Sequence, residues 1–329
     1  MGHRTRLAAR ADRLWVMLSR HLGRSGLAVS RLGLGTLTWG VEVDEEGARD
    51  QLTAFVAAGG TLVDTAHGYG AGAAELMLGT LLKARAVARE DLVLVTKAGI
   101  RQECDRRIVD VSRRGLLREL DGSLARLGTD HVDLWLAHAW SDSVPVEETL
   151  GALEYAVSSG RARYIGVSNY SGWQTARAFS LLESARIPLV ANEIEHSLLH
   201  RDGEHEVLPA AEALGFGVVA WAAQGRGILT GKYRGGIPPQ SRAASRVFPR
   251  FLDRHLDERA AAITDAVVTA ARGLDVPPAQ VALAWARDTP GVSAVLVGAR
   301  TLTQLQTALG SELIDLPGPV RDALDDVSA

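Results

Sequence analysis

The chain of 329 residues has a single cysteine, Cys104. One thiol excludes an intramolecular disulfide and fits a reducing compartment, so a cytoplasmic location is expected. Lysine is nearly absent as well. Of 36 basic residues only Lys83, Lys97 and Lys232 are lysines, and the rest are arginines. Where surface charge comes from arginine, each remaining ammonium is a candidate for work a guanidinium does poorly, such as burial beside a phenol. Lys83, in Leu-Leu-Lys-Ala-Arg, reads as an ordinary exposed helix position. No apolar run approaches the ~20 residues of a membrane helix, and the apolar stretch at residues 14–18 is shorter than the ~7–15-residue core of a signal peptide. A net charge of −3 gives no reason to expect a nucleic-acid partner. His67, His196, His200 and His205 match no zinc-ligand spacing, so no metal is expected. No Gly-x-Gly-x-x-Gly follows a strand, which argues against a Rossmann site.

What is present is alternation. From residue 22, short Val/Ile/Leu-rich runs are followed repeatedly by amphipathic stretches. Strands are expected near residues 30–34, 61–64, 92–97, 132–138, 164–168, 189–193, 217–221 and 294–297. Helix starts are signalled by Asp44-Glu-Glu, by Ser112 and by Val144-Pro-Val-Glu-Glu, where acids or a proline occupy the first turn. Gly59-Gly60, Gly128 and Gly160 fall where helices should end. Eight βα units point to an α/β protein of the (β/α)8 TIM-barrel class, for which about 250 residues suffice. Residues 22–30 read as an N-terminal β-hairpin ahead of the first barrel strand. The rhythm breaks once, after the seventh strand. There Gly225, Gly227, Gly231, Gly235, Gly236, Pro238 and Pro239 make a long loop before helix resumes near Asp257, and loops of that length are usually functional. The expected organisation is a disordered leader at residues 1–20, with no apolar periodicity over residues 1–16, and a single barrel domain at residues 21–329.

In such a barrel the active site lies at the C-terminal ends of the strands. Three runs end there in chemistry: Thr-Leu-Val-Asp64-Thr-Ala-His-Gly-Tyr69, Leu-Val-Leu-Val-Thr-Lys97 and Val-Asp-Leu-Trp-Leu-Ala-His138. Taken singly, Asp64 reads as a turn cap and His138 as a core histidine. Together they supply a phenol beside an ammonium that lowers its pKa, a carboxylate that keeps the ammonium charged, and an imidazole able to steer a carbonyl oxygen. Ser168 and Asn169 end the fifth strand and suit either helix capping or hydrogen bonding to a carboxamide. Glu193 ends the sixth strand. Trp221 ends the seventh, either as core packing or as a flat ring for stacking. Leu296-Val-Gly298-Ala-Arg300-Thr301 leads into a helix. It is either a plain turn with a solvated Arg300 or a phosphate site made of helix N–H groups and a guanidinium fork. Lys232 and Arg242 lie in the Gly-rich loop, positioned to close over a pyrophosphate. Trp39 and Trp140 are expected in a substrate pocket for an apolar or aromatic carbonyl.

These residues together resemble the aldo-keto reductase family over about residues 20–329. The resemblance rests on Leu32-Gly-Leu-Gly-Thr36, Asp64-Thr-Ala-His-Gly-Tyr69-Gly, Thr96-Lys97, His138, Gly160-Arg-Ala-Arg-Tyr-Ile-Gly-Val-Ser168-Asn169-Tyr170 and Gly225-Arg-Gly-Ile-Leu-Thr-Gly-Lys232-Tyr. The style is closer to bacterial members and to potassium-channel β subunits than to the sugar-reductase branch. The resemblance implies an NADPH-dependent reductase of a small-molecule aldehyde or ketone. Tyr69 would be the proton donor, Lys97 and Asp64 its tuning pair, and His138 the orienting group. Thr36, Ser168, Asn169, Glu193, Trp221, Gly225, Gly227, Lys232, Arg242, Gly298, Arg300 and Gln304 would hold the cofactor. Three departures all concern that cofactor. Glu193 stands where the family usually has Gln, Ala308 where an Asn commonly meets the adenine, and Ala222-Ala223-Gln224 where Ser-Pro-Leu is usual. A cofactor-holding regulatory subunit with little turnover and a Schiff-base aldolase built on Lys97 are the competing readings. The sequence names neither the substrate nor the oligomeric state.

Overall fold

Eight apolar runs become eight parallel strands, and they close on themselves. The computed structural model describes residues 17–103, 106–238 and 257–329. The barrel strands are β3 (Leu32–Gly35), β4 (Leu62–Asp64), β5 (Val93–Ala98), β8 (Val132–Ala137), β9 (Ala162–Ser168), β10 (Leu189–Glu195), β11 (Gly217–Trp221) and β12 (Val292–Val297). Each pairs with the next in that order, and β12 pairs with β3 to complete the ring. Every expected barrel strand is therefore found, displaced at its ends by at most two residues.

Period-2 alternation sorts the side chains of each strand into two cores. Leu62, Val95, Leu134, Leu136, Ala191, Val219, Ala294 and Leu296 face inward and form one buried cluster. Val63, Leu94, Trp135, Ile165, Val218 and Val295 face outward and join the larger cluster under the helices, with Phe55 and Trp285. All three helix starts read from the sequence are found; two are side-chain caps, and the helix at Val146–Ser158 starts after Pro145 without one. Asp44 accepts from Gly47 N at 2.9 Å, and Ser112 accepts from Gly115 N at 3.1 Å. Asp257 accepts from Ala260 N at 2.7 Å and opens the helix Glu258–Leu274. Each such cap contributes about 0.5–2 kcal/mol. Gly128 ends its helix at φ 66°, a conformation that costs a residue with a Cβ.

The N-terminal hairpin closes the bottom of the barrel, with one correction to its bounds. Its strands are β1 (Ser19–His21) and β2 (Ala28–Ser30), so residues 17–20 belong to the fold rather than to the leader. Met17 is buried and its N–H donates to Ala58 O at 3.0 Å, while Leu18 N donates to Glu312 Oε1 at 3.0 Å. The strand Ser19–His21 is polar and largely exposed, so it has no apolar alternation to betray it. Leu22 and Val29 plug the inward cluster, each side chain contributing about 1.5–3 kcal/mol by burial. Gly23, at φ 60°, lies so close to β11 that a Cβ would meet Gly215 O at 2.3 Å. Residues 1–16 lie outside the described residues, as does the loop segment 239–256 with Arg242.

A second antiparallel hairpin was not foreseen. β6 (Ile100–Glu103) and β7 (Arg106–Val109) rise directly from the end of β5. Half of their eight residues are charged and the three apolar ones do not alternate, so apolar periodicity gives no sign of them.

Candidate active site

The polar side chains at the strand ends are the next inward positions above the apolar layer. Asp64 lies two residues beyond Leu62, Lys97 two beyond Val95, and His138 two beyond Leu136. Glu193 lies two beyond Ala191, Trp221 two beyond Val219, and Gly298 two beyond Leu296. Alternation thus carries all six to the mouth of the barrel, where each but Lys97 lines a cavity of about 1710 Å³. Lys97 lies just beneath, fully buried.

Lys97 sits between two carboxyl groups. Its Nζ is in close contact with Asp64 Oδ1 and lies 3.3 Å from Glu193 Oε1. Nζ also donates to Thr65 O at 3.1 Å. Burial by itself would lower the Lys97 pKa, but Asp64 and then Glu193 outweigh it and hold the ammonium above its ordinary range. The position of Asp64 is fixed by its backbone, since its carbonyl accepts from Thr36 N at 3.0 Å and Thr36 Oγ1 at 2.9 Å.

Tyr69 opens a tight 3-10 turn, Tyr69–Gly72, that returns the chain toward the barrel. Ala71 in that turn has φ 54°, a conformation costing a non-glycine residue about 1–3 kcal/mol. The ring centroid of Tyr69 lies 5.2 Å from Lys97 Nζ and 6.0 Å from the His138 ring, which it meets edge-on at 72°. Burial lifts the phenol above its ordinary range; Lys97 pulls it down, and Asp64 and Glu193 oppose Lys97. This corrects the expectation of a depressed phenol: the second carboxyl and the burial win over one ammonium. The result is a phenol that keeps its proton at neutral pH, as a proton donor requires. Burial, then Lys97 and Arg107, hold the His138 pKa well below its usual value, so the imidazole is neutral. A neutral ring offers one N–H donor. Its Nδ1 is buried with no partner among the described residues.

Toward the rim, Asn169 Nδ2 donates to His138 O and to Ser168 Oγ, both at 3.0 Å, and Ser168 Oγ donates to Glu193 O at 3.1 Å. Trp221 Nε1 donates to Asn169 Oδ1 at 3.2 Å, which fixes the ring at the mouth. Asn169 at φ 60° and Ala222 at φ 57° mark two strand ends in left-handed conformation beside the cavity. Beneath Trp221 the guanidinium of Arg226 lies 5.6 Å from the ring and is held by both oxygens of Glu195, at 2.9 and 2.7 Å. Sequence reasoning missed this pair; the only signal was an arginine flanked by two glycines. Gly227 lets the Lys232 ammonium fold close, since a Cβ there would lie 2.8 Å from Nζ.

The cavity runs on to the N-terminus of the helix Leu302–Leu309, capped by Thr301 and lined by Gly298, Arg300 and Gln304. Gln304 Oε1 accepts from Arg300 N at 3.0 Å, and Arg300 Nη1 lies 3.7 Å from Glu42 Oε1. Ala308 also lines this end.

Several expected site residues lie elsewhere. Trp39 is fully buried and donates from Nε1 to Gln51 Oε1 at 3.1 Å, so it is core and not pocket. Trp140 does not line the cavity; it packs edge-on against Tyr170 at 5.2 Å and Trp173 at 5.3 Å. Thr36 continues the outward face of β3, after Leu32 and Leu34, and reaches the site only through the Asp64 backbone. Gly225 is buried behind the cavity wall, against Leu199 and Leu229. Missed altogether were Gln102 and Arg107 on the unforeseen hairpin. They are directly opposed across β6 and β7 and both face the cavity near Tyr69 and His138.

The chain matches a family model described as "Aldo/keto reductase family" over residues 31–328.

Proposed function

The chain belongs to the aldo/keto reductase family, whose members are oxidoreductases acting on small-molecule carbonyls, generally with a nicotinamide cofactor, and on that premise we propose that it is an NADPH-dependent reductase of an aldehyde or ketone. The observation that carries the reading is the placement of Tyr69, neutral His138 and the Lys97–Asp64 pair at one end of a cavity whose other end meets Arg300. The residues present fit a dinucleotide. Trp221 offers a fixed ring face, Ser168 and Asn169 offer hydrogen-bonding groups beside it, and Lys232 and Arg300 offer cations spaced along the cavity. The bound cofactor would supply a hydride to the carbonyl carbon. Tyr69 would give its proton to the oxygen, His138 would hold that oxygen by an N–H, and the Lys97 charge would favour the phenolate left behind.

The Schiff-base reading fares poorly beside this one. An amine nucleophile must be neutral, and two buried carboxyl groups keep Lys97 charged.

The test is NADPH consumption across a panel of aldehydes, ketones and sugars, with NADH as control. Reduction of at least one class is expected, faster with NADPH. Tight binding with no turnover on any of them would instead leave the regulatory role.

Cofactor choice has its own test. A 2′-phosphate beside Arg300 would gain a charge-assisted pair of about 1.5–3 kcal/mol, at the lower end because Glu42 already holds part of that charge. Arg300→Ala should therefore weaken NADPH binding roughly tenfold and leave NADH binding nearly unchanged. Titration of the variant with both cofactors measures this. Equal weakening would show that Arg300 supports the loop and does not read the phosphate.

A further inference from the structure

One ammonium faces two carboxyl groups inside the barrel, and the charges do not balance. Lys97, Asp64 and Glu193 have side chains only 0%, 3% and 4% exposed. With both acids ionised the cluster would carry a buried negative charge with no counterion among the described residues, which is strongly unfavourable. The two carboxyl groups meet at the same ammonium, burial raises both, and Asp64 raises Glu193 further. A proton held on one of them removes the excess charge and leaves one carboxylate to balance one ammonium. Asp64 makes the closer contact with Lys97, which leaves the proton to Glu193.

We infer that Asp64 and Glu193 share one proton at neutral pH, and that its loss leaves a net negative charge beside Tyr69 and sets the alkaline limit of the reaction. This rests on the reductase reading above. The link to Tyr69 is direct: both Asp64 and Glu193 oppose the phenolate that Tyr69 becomes on giving up its proton. While the proton is held, one negative charge balances Lys97. When it leaves, the phenolate must form against a second, uncompensated one. Burial and Asp64 raise Glu193 to about 8, while Lys97 draws it back.

Among the described residues little else there titrates, and His138 at the end of β8 is already held neutral by burial and by Lys97. From β4 and its following turn, Glu193 faces Asp64 and Tyr69, and from β5 it faces Lys97. Its register partners are Ser168 in β9 and Val219 in β11, neither of which titrates. Further along β10, Glu195 is neutralised by Arg226. Glu193 is thus a positioning residue for charge, acting on Tyr69 by its own field and through the Lys97 it shares with Asp64.

Infrared spectroscopy of the whole chain across pH tests this without any turnover. The wild type should show a protonated-carboxyl stretch below neutrality that disappears at about pH 8. Glu193→Gln, close to isosteric, should lack that step. Asp64→Asn should keep the band but move its midpoint to lower pH, because Lys97 then has a single acid to neutralise. In steady-state assays the alkaline fall in rate should follow the infrared midpoint in the wild type and vanish in Glu193→Gln. No band below neutrality in the wild type, or a midpoint that Asp64→Asn does not move, would overturn the shared proton. A titrating band in a protein that reduces no carbonyl would overturn the reductase reading and the link to rate, while leaving the shared proton standing.

Discussion

Tyr69→Phe is expected to lower carbonyl reduction by roughly 10²–10⁴ while leaving NADPH affinity close to wild type. The Tyr69 phenol lies within the charge field of Lys97 and edge-on to His138. Removing its oxygen takes away the proposed proton donor but keeps the ring, so packing in the tight turn is preserved. Trp221, Lys232 and Arg300, the proposed cofactor residues, line the same cavity and are untouched by the change. Single-turnover rates and a fluorescence titration of NADPH separate the two effects. Wild-type-like turnover would mean that another group, His138 being the nearest, gives the proton.

Lys97→Met is expected to be the most damaging change of all. The phenol would lose the charge that favours its ionised form, and activity should fall at least ~10²-fold. The fold should suffer too. Removing one partner from a buried charge cluster costs about 3–5 kcal/mol, because the others are left uncompensated. Here those others are Asp64 and Glu193, both almost fully buried. They can escape by taking up protons, so the loss of stability should be smaller at acid pH and larger above neutrality. Thermal unfolding across pH reads this sign directly. Asp64→Asn should be milder in rate, since Lys97 keeps Glu193 as a partner. A Lys97→Met protein with full activity would refute the electrostatic account.

Most of the barrel was legible because its signal is repeated and periodic. Asp64, Lys97 and His138 could be placed because each follows an apolar strand in the inward register, and parity puts such residues at the mouth. The same rule, applied to β3, would have kept Thr36 out of the cofactor set, since Leu32 and Leu34 face outward. Trp39 was misplaced because a large aromatic after a strand looks like pocket lining, whereas the chain there turns back and pins the ring under the helix Glu45–Ala57 through Gln51. Glu193 was visible as a departure from the family pattern. That it shares Lys97 with Asp64 depends on distances across the barrel, which strand periodicity does not encode. The hairpin carrying Gln102 and Arg107 left no trace because its strands are four residues each and their few apolar residues do not alternate.

The central claim is that hydride comes from the nicotinamide and the proton from Tyr69. It is tested most directly with NADPH carrying deuterium at its transferable position, supplied to wild type and to Tyr69→Phe with any carbonyl the wild type reduces. The account predicts an alcohol with one deuterium on the former carbonyl carbon from the wild type, and almost no alcohol from the variant although it binds the cofactor. An unlabelled alcohol, or equal labelled product from both proteins, would contradict it.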